Sequence, residues 1–263
     1  MKRDTQDRKP KVRRMLDKVG VTNLKTLVQT MWGGRLYKFV PKIQLTIDLP
    51  ESRKGAHLSR LVEAISEAIE EESRETHGSL EGLGKNILVK LGRKHQFKSG
   101  EVVIETDLVV FRKTPVSGRD SAESHEIKVK VRRDGAEYTK ALSVRVYGNT
   151  VCPHSIEISG RPHIQRAIGM LELETSLGNS INLEDMIDVV EGAFSSRVYT
   201  LLKSEDEASV VRSMYANPKF VEDVCRGIIH GARKFKRCRV NAKVISEESI
   251  HRHDVIAEAS ASY

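Results

Sequence analysis

Four short stretches of the chain concentrate residue types that bind metals or polar substrates: RKGAHLSR (53–60), VCPHS (151–155), GRPHIQR (160–166) and ESIHRH (248–253). Thiolates and imidazoles are good ligands for a divalent transition metal. A catalytic metal site needs about three protein ligands and an open position for water, whose pKa the metal lowers toward neutrality. The residue types therefore predict a catalytic metal site, with these ligands: Cys152, His163 and either His251 or His253.

The same residue types also have ordinary structural roles. A lone cysteine is usually a small buried hydrophobe, and we interpret Cys225 and Cys238 in that way. Cys152 differs, because Pro153 is expected to end the preceding strand and leave the thiol exposed. Three further histidines are interpreted as surface residues: His95, His125 and His230.

Apolar periodicity predicts the elements that must position these stretches. The first group is a strand over 38–49, helices over 57–76 and from Ser79, and strands at about 101–112 and 126–133, with a polar connection over 114–124. The second group is strands around 142–146 and 171–173, helices over 183–201 and 211–235, and a strand over 238–244. Asn217–Pro218 is expected to kink or split the last helix. Because the order occurs twice, the pattern predicts an α+β protein of two halves, each an antiparallel sheet covered by a helix pair.

Length, charge and composition limit the class of protein. Of the formal net charge of +8 on 263 residues, +5 falls in residues 1–18, which we interpret as a basic flexible arm. The two predicted units are 19–133 and 134–263, packed into one functional domain. A nearly balanced body with 5% aromatic residues argues against nucleic-acid binding. The sequence has no run of about 18 apolar residues and no secretory signal, so we expect no membrane partner. Three cysteines are typical of a reducing cytoplasm.

Eight segments resemble the GTP cyclohydrolase type IB family, above all its archaeal MptA-type branch: VGVTNLK (19–25), DLPESRKGAHLSR (48–60), VCPHS (151–155), PHIQR (162–166), LEDMIDVVE (183–191), LLKSEDE (201–207), YANPKFVEDVCR (215–226) and SIHRH (249–253). The resemblance implies a tandem T-fold (tunnelling fold), in which two antiparallel sheets each carry a helix pair. It also implies a homo-oligomer, typically a tetramer, with active sites near subunit interfaces.

The reaction implied by this resemblance is opening of the imidazole ring of GTP. A metal-activated water adds to C8 of guanine, and C8 leaves as formate. The archaeal branch is Fe(II)-dependent and makes 7,8-dihydroneopterin 2′,3′-cyclic phosphate with release of pyrophosphate, early in tetrahydromethanopterin biosynthesis. We therefore expect one divalent metal per subunit, with Fe(II) favoured and Mn or Zn as alternatives.

The resemblance carries roles to individual positions. The implied metal ligands are Cys152, His163, His251 and Glu191. The implied catalytic residues are Cys152, His154, Glu191 and His253. The implied substrate-binding residues are Glu207, Arg53, Lys54, His57, Arg60 and Arg166. From the sequence pattern alone, Glu191 and Glu207 are interpreted as solvated side chains. The resemblance implies that one of them serves the metal and the other anchors guanine, and which does which stays open.

Three alternative functions follow from the same residues. The bacterial branch makes 7,8-dihydroneopterin triphosphate for folate biosynthesis, and the spacer between VCPHS and His163 is shorter than is usual in the archaeal branch. The nitrile reductase of the queuosine pathway is also a T-fold enzyme, but it uses a cysteine with NADPH and no metal. A non-catalytic RNA-binding protein would depend on the arm over 1–18.

Overall fold

The computed structural model describes residues 4–32, 35–72 and 79–263 of a mixed α/β protein rich in antiparallel strands. The strands are β1 (Leu16–Lys25), β2 (Val28–Trp32), β3 (Arg35–Phe39), β4 (Lys42–Leu49), β5 (Ser99–Lys113), β6 (Asp120–Asp134), β7 (Glu137–Val151), β8 (Ile164–Ser176), β9 (Ser196–Arg197), β10 (Arg239–Glu247) and β11 (Val255–Ser262). The α-helices are α1 (Leu58–Glu72), α2 (Leu80–Lys94), α3 (Pro153–Ser159), α4 (Leu183–Ala193), α5 (Ser204–Ala216) and α6 (Val221–Gly231). Among the described residues, no helix has the length and apolarity to cross a bilayer.

The chain divides into two compact units, each drawn from several segments. Unit 1 comprises Met1–Thr106, Lys128–Ala141 and Ser176–Gly178. Unit 2 comprises Asp107–Ile127, Leu142–Thr175 and Asn179–Tyr263. This division differs from the continuous segments 19–133 and 134–263 expected from the sequence, because the long strands β5, β6 and β7 each contribute residues to both units.

In unit 1, β4 pairs antiparallel with β1 on one side and β5 on the other. Leu45 lies opposite Val21 and Val102. The alternation that predicts a strand here is seen directly, since Ile43, Leu45 and Ile47 are fully buried between more exposed neighbours. The apolar face of β4 therefore belongs to the core of this unit.

Helix α2 packs closely on the strands of unit 1. A Cβ atom added to Gly84 would lie 2.8 Å from Cγ2 of Val131, so only glycine lets the helix approach β6 this closely. Ser79 caps the helix as predicted, since its Oγ accepts a hydrogen bond from the Gly82 N–H at 3.0 Å.

In unit 2, β10 pairs antiparallel with β8 and β11. Val244 is buried and lies opposite Gly169 of β8. A Cβ on Gly169 would lie 2.6 Å from Val190 of α4 and 3.3 Å from Ile228 of α6. Both helices therefore pack on β8 at this glycine.

The predicted helices are mostly confirmed. Residues 57–76 give α1, with 73–76 outside the described residues, and the predicted break at Asn217–Pro218 separates α5 from α6. The helix expected over 183–201 is wrong beyond Ala193. Phe194 leaves the helix with φ −71° and ψ 168°, and its ring occupies the space where a Cβ on Gly148 would be, 2.2 Å from that position.

Elements that were not expected from the sequence include α3 and β11. The connection expected over 114–124 is also shorter, since β6 begins at Asp120. At the N-terminal end, β1 begins at Leu16 and includes the last residues of the expected arm.

Candidate functional site

A polar cluster of unit 2 surrounds Cys152 and His163. Pro153 ends β7 and begins α3, which makes Cys152 the N-cap residue, and its Sγ accepts a hydrogen bond from the Ser155 N–H at 3.4 Å. Gly160 ends α3 in the left-handed region, at φ 67°, and the chain turns back. The Cys152 N–H then donates to the carbonyl of His163 at 3.3 Å. Local turn chemistry thus brings together two residues that stand eleven positions apart.

The ring of His163 is held on one edge. Its Nδ1 contacts the side-chain amide of Gln165, Oγ of Ser249 at 3.5 Å and Oε2 of Glu248 at 3.9 Å. Gln165 in turn donates to Oε2 of Glu248 at 3.3 Å. Among the described residues, every polar partner of this ring meets Nδ1, so the Nε2 edge faces away from the supporting cluster.

A second layer supports Gln165. Thr150 donates to Oε1 of Gln165 at 3.5 Å and lies 3.0 Å from Oγ of Ser246, and all three side chains are buried. The β8–β10 register places Ala167 opposite Ser246. The cluster is therefore fixed by strands rather than by loops alone.

Arg166 follows Gln165 on β8 and lies opposite Glu247 of β10. Its guanidinium carbon lies 5.5 Å from the centroid of the Tyr147 ring, and that of Arg145 lies 5.0 Å from the same ring. The aromatic ring thus lies against two guanidinium groups in unit 2.

Three of the predicted histidines lie at the surface. His251 and His253 are exposed between β10 and β11, with their rings stacked at 5.2 Å. His154 is exposed on α3, with Nδ1 4.0 Å from Glu157. In the part of the chain that the structure describes, these rings do not join Cys152 and His163 in a set of three close ligand atoms.

Glu191 lies in a different group of side chains in unit 2. It is 4% exposed on α4, within 3.0 Å of Nη2 of Arg112, 3.4 Å of Nε of Arg197 and 3.6 Å of Nε2 of His125. Burial raises the pKa of this carboxyl, and the two guanidinium groups oppose that rise. The interpretation of Glu191 as solvated is therefore wrong, and we call this set the Glu191 cluster.

His125 was interpreted as a surface residue, and it is buried instead. Burial lowers the pKa of His125 to about 4, and the positive charge of Arg112 lowers it further. Both ring nitrogens are buried without a hydrogen-bond partner among the described residues. The imidazole is therefore neutral at physiological pH. His95 is likewise buried rather than exposed.

Glu207 is exposed in the first turn of α5, while its neighbour Asp206 is fully buried. Asp206 accepts hydrogen bonds from the N–H groups of Val116, Ser117 and Lys203 at 2.8–3.0 Å. These bonds hold the pKa of Asp206 far below its usual range, even though burial raises it. Asp206 is structural, and Glu207 presents a carboxylate to solvent.

The basic residues predicted to bind phosphate belong to unit 1. Lys54 is exposed, Arg53 is half-buried, and Arg60 donates from Nη1 to the carbonyl of Lys94 at 3.2 Å. His57 is buried, with Asp4 and Asp7 beside its ring. The structure thus places a basic loop at the start of α1.

Sequence reasoning missed several polar residues of these groups. Gln165 and Glu248 stand inside the quoted stretches GRPHIQR and ESIHRH, so their proximity to the histidines was a usable signal. Arg112 and His125 stand in strands without any motif, and only the fold reveals that they meet Glu191.

Comparison with known proteins gives one family and many relatives. A family model described as type I GTP cyclohydrolase folE2 matches residues 2–257. "GTP cyclohydrolase MptA" of Pyrococcus abyssi is 50% identical over 98% of this chain and 99% of its own length. The protein of the same name in Methanothermobacter thermautotrophicus is 33% identical over 98% of this chain and 93% of its own.

Two solved structures share the fold at low sequence identity. Uricase from Arthrobacter globiformis superposes with a TM-score of 0.53 at 10% identity, covering 94% of this chain and 93% of the uricase. A highly active mutant of urate oxidase from Bacillus sp. TB-90 gives a TM-score of 0.52 at 8% identity, covering 94% and 100%. The likeness concerns the fold alone.

Proposed function

The chain belongs to the type I GTP cyclohydrolase folE2 family and is a GTP cyclohydrolase of the archaeal pterin pathway, and we propose that a divalent metal held by Cys152 and His163 serves its reaction. The observation that carries this proposal is the backbone hydrogen bond from Cys152 to His163, which holds a thiol-bearing and an imidazole-bearing residue side by side where β7 ends and α3 begins.

The residues of this cluster fit a transition metal. A thiolate and an imidazole suit Fe(II), Zn and Mn to different degrees, and we propose Fe(II) as the native ion. A metal-binding histidine usually has its other ring nitrogen held by a carboxylate or another polar group, as Glu248, Ser249 and Gln165 do for Nδ1 of His163. A bound ion would supply the Lewis acidity that makes water nucleophilic near neutral pH.

The remaining ligands come from residues that are apart in the single chain. His251 is exposed with its ring stacked on that of His253, and Glu191 is paired with Arg112 and Arg197. We propose that the exposed histidines His251, His253 and His154 complete the site or transfer protons in the assembled enzyme, with active sites near the contacts between subunits. Such an assembly, a tetramer in our proposal, would bring residues of two chains together.

The two glutamates can now be given separate roles. We propose that Glu207 anchors guanine, because its carboxylate is exposed and can accept the two N–H groups of the guanine edge. Glu191 is already neutralised by guanidinium groups. We therefore propose that Glu191 orients Arg112 and Arg197 within unit 2, unless it leaves these partners to bind the metal.

The basic groups are suited to the triphosphate. Arg53, Lys54 and Arg60 lie together at the start of α1, and Arg166 offers a further guanidinium. Arginine binds phosphate well because its planar fork donates two hydrogen bonds. His57 is flanked by the carboxylates of Asp4 and Asp7, and it would contact the triphosphate directly only if these carboxylates moved away.

We propose 7,8-dihydroneopterin 2′,3′-cyclic phosphate as the product. Relatives named GTP cyclohydrolase MptA support this product, and a ribose hydroxyl would displace pyrophosphate to form it. The bacterial-type product would keep all three phosphates. The likeness to uricases supports the tandem T-fold, and the enzyme is proposed to act in the cytoplasm.

Anaerobic purification, loading with Fe(II) and chromatography of the products from GTP test this proposal. We expect formate, pyrophosphate and the cyclic phosphate in equal amounts, and loss of all three after chelation. A triphosphate product would overturn the cyclic-phosphate assignment. Full turnover after rigorous metal removal would overturn the metal site, and substrate-dependent NADPH oxidation would point to nitrile reduction.

A further inference from the structure

A second group of possible metal ligands lies in unit 1, where the first described residues pack against the start of α1. The carbonyl of Gln6 accepts hydrogen bonds from the N–H groups of Lys54 and Gly55 at 3.0 and 3.2 Å. The carbonyl of Arg8 accepts from Lys54 at 2.8 Å. The N-terminal segment is therefore attached to the basic loop by its backbone, rather than extended into solvent.

The local turn sets the direction of two carboxylates. Thr5–Asp7 form a 3-10 turn that follows Asp4, and side chains three positions apart in such a turn project to the same side. Asp4 and Asp7 accordingly both face His57. Oδ2 of Asp4 lies 3.9 Å from Nδ1 of His57, and Oδ1 of Asp7 lies 3.4 Å from Nε2.

These three residues have the spacing of a metal site. One ligand atom from each lies within 4.8 Å of the others, and no other such set of three occurs among the described residues. Ligands at about 2.1 Å from a cation lie about 3.0–3.5 Å from each other. The Asp7–His57 separation already has this value, and the carboxylate of Asp4, which is 68% exposed, is free to adjust.

An independent observation also points to a ligand. His95 is 3% exposed, and its ring meets that of His57 edge-on at 6.0 Å. Its Nδ1 lies 2.9 Å from the carbonyl of Gln96, so Nδ1 carries the proton and Nε2 carries a lone pair. Nε2 is buried without a hydrogen-bond partner in the described part of the chain. A histidine whose other nitrogen donates to a backbone carbonyl is the usual form of a metal ligand.

The charge balance is favourable as well. Two carboxylates neutralise a divalent cation, and His95 stands at the C-terminal end of α2, where the helix dipole favours positive charge. Oxygen and imidazole ligands together suit divalent transition metals such as Mn, Fe and Zn. The partial exposure of both carboxylates leaves a path for entry and positions for water.

We propose that Asp4, Asp7 and His57, with His95 beside them, form a second divalent-cation site, which ties the N-terminal segment to the start of α1. This site goes beyond the proposed catalytic metal. It also places a cation next to Arg53 and Lys54, where it would add a further positive charge for a phosphorylated ligand.

Mn²⁺ titration of the full-length metal-free chain, with free Mn²⁺ measured by electron paramagnetic resonance, tests this site. The titration is made in a background variant, Cys152→Ala/His163→Ala, which lacks the proposed catalytic ligands. We expect one Mn²⁺ per chain in this background and binding at least tenfold weaker after adding Asp4→Asn/Asp7→Asn. Asp17→Asn, which removes an exposed carboxylate of β1, should leave binding unchanged.

In the otherwise unaltered chain, Asp4→Asn/Asp7→Asn should lower the Mn²⁺ content from two ions per chain to one. This second measurement tests the site even if the background variant misfolds. Equal Mn²⁺ binding with and without the two aspartates would overturn the site, as would the absence of any bound Mn²⁺ in a folded background variant. Retained GTP turnover in the Cys152→Ala/His163→Ala variant, with Mn²⁺ binding at Asp4 and Asp7 intact, would count against the proposed catalytic site alone.

Discussion

The ring of His163 is held by polar neighbours along one edge. Three polar groups meet Nδ1, and two of them, Gln165 and Glu248, are themselves hydrogen-bonded to each other. Such supporting groups fix the orientation of a ligand before the ion arrives. In the proposed site, the ring of His163 is therefore held in one orientation by groups on its Nδ1 edge.

Replacement of His163 by alanine is expected to lower the metal content. Loss of the imidazole removes one of the two proposed ligands, so the Fe content of anaerobically purified protein should fall by more than half. Elemental analysis of the variant and the parent provides the measurement. His230→Ala, which removes an exposed histidine of α6, is the control and should keep the parent content. Unchanged stoichiometry in His163→Ala would remove this residue from the site.

The buried imidazole of His125 should make stability depend on pH. Its pKa is about 4 in the folded chain, against 6.5 ordinarily, so the unfolded chain takes up the proton first as pH falls. The neutral imidazole therefore contributes fully to the free energy of unfolding above pH 6.5. This contribution is lost as the pH falls toward 4, and the loss is about 3 kcal/mol at most. Urea unfolding across this range should show a flatter profile for His125→Gln than for the parent, with His230→Gln unchanged. Identical slopes in His125→Gln and the parent would contradict this origin.

Single residues were predicted from the sequence where the chemistry is local. Cys225 and Cys238 are buried, as a lone cysteine usually is. The burial of His125 and Glu191 was not predictable, because it depends on contacts between residues that are far apart in the sequence, namely those of Arg112 and His125 with Glu191. Contacts between residues that are far apart in one sequence leave no periodic signal.

Helix α4 illustrates how one glycine sets the end of an element. The apolar stripe continues through Phe194, Val198 and Leu201, and periodicity alone predicts a longer helix. The helix stops because Phe194 fills the space above Gly148 on β7. Packing between elements thus overrides the local pattern.

A methyl group at this glycine should destabilise unit 2. Gly148→Ala would place Cβ 2.2 Å from the Phe194 ring, and overpacking of this kind costs about 1–3 kcal/mol. The free energy of unfolding in urea measures the loss. Gly192→Ala, where an added Cβ meets nothing within 4 Å, should be neutral or slightly stabilising. An unaffected Gly148→Ala protein would show that the ring can move aside at little cost.

Elements with strong signals were predictable, and those with weak signals were not. Ser79 and the Asn217–Pro218 break gave the correct start of α2 and the separation of α5 from α6. β11 was missed because its small and charged residues are mostly exposed, so it lacks the alternation that marks a half-buried strand. Its pairing with β10 supplies the missing information.

At the scale of the whole molecule, the fold and the family are consistent with each other. Strong sequence similarity extends over 98% of the chain to proteins named GTP cyclohydrolase MptA, while the uricases share the fold at 10% identity or less. The residues that resemble the family are divided between unit 1, with the basic loop, and unit 2, with Cys152 and His163. Convergence of the exposed histidines on these ligands is a property we assign to the assembled enzyme.

The central claim is that Cys152 supports the metal that enables ring opening of GTP. Formate release from GTP, measured anaerobically with Fe(II) for the parent, Cys152→Ala and the thiol-removal control Cys225→Ala, tests it most directly. We predict a loss of about a hundredfold or more in Cys152→Ala, the scale seen when a metal site loses even a supporting group, with a folded protein and near-parent activity in the control. Near-parent formate release from folded Cys152→Ala would contradict the claim.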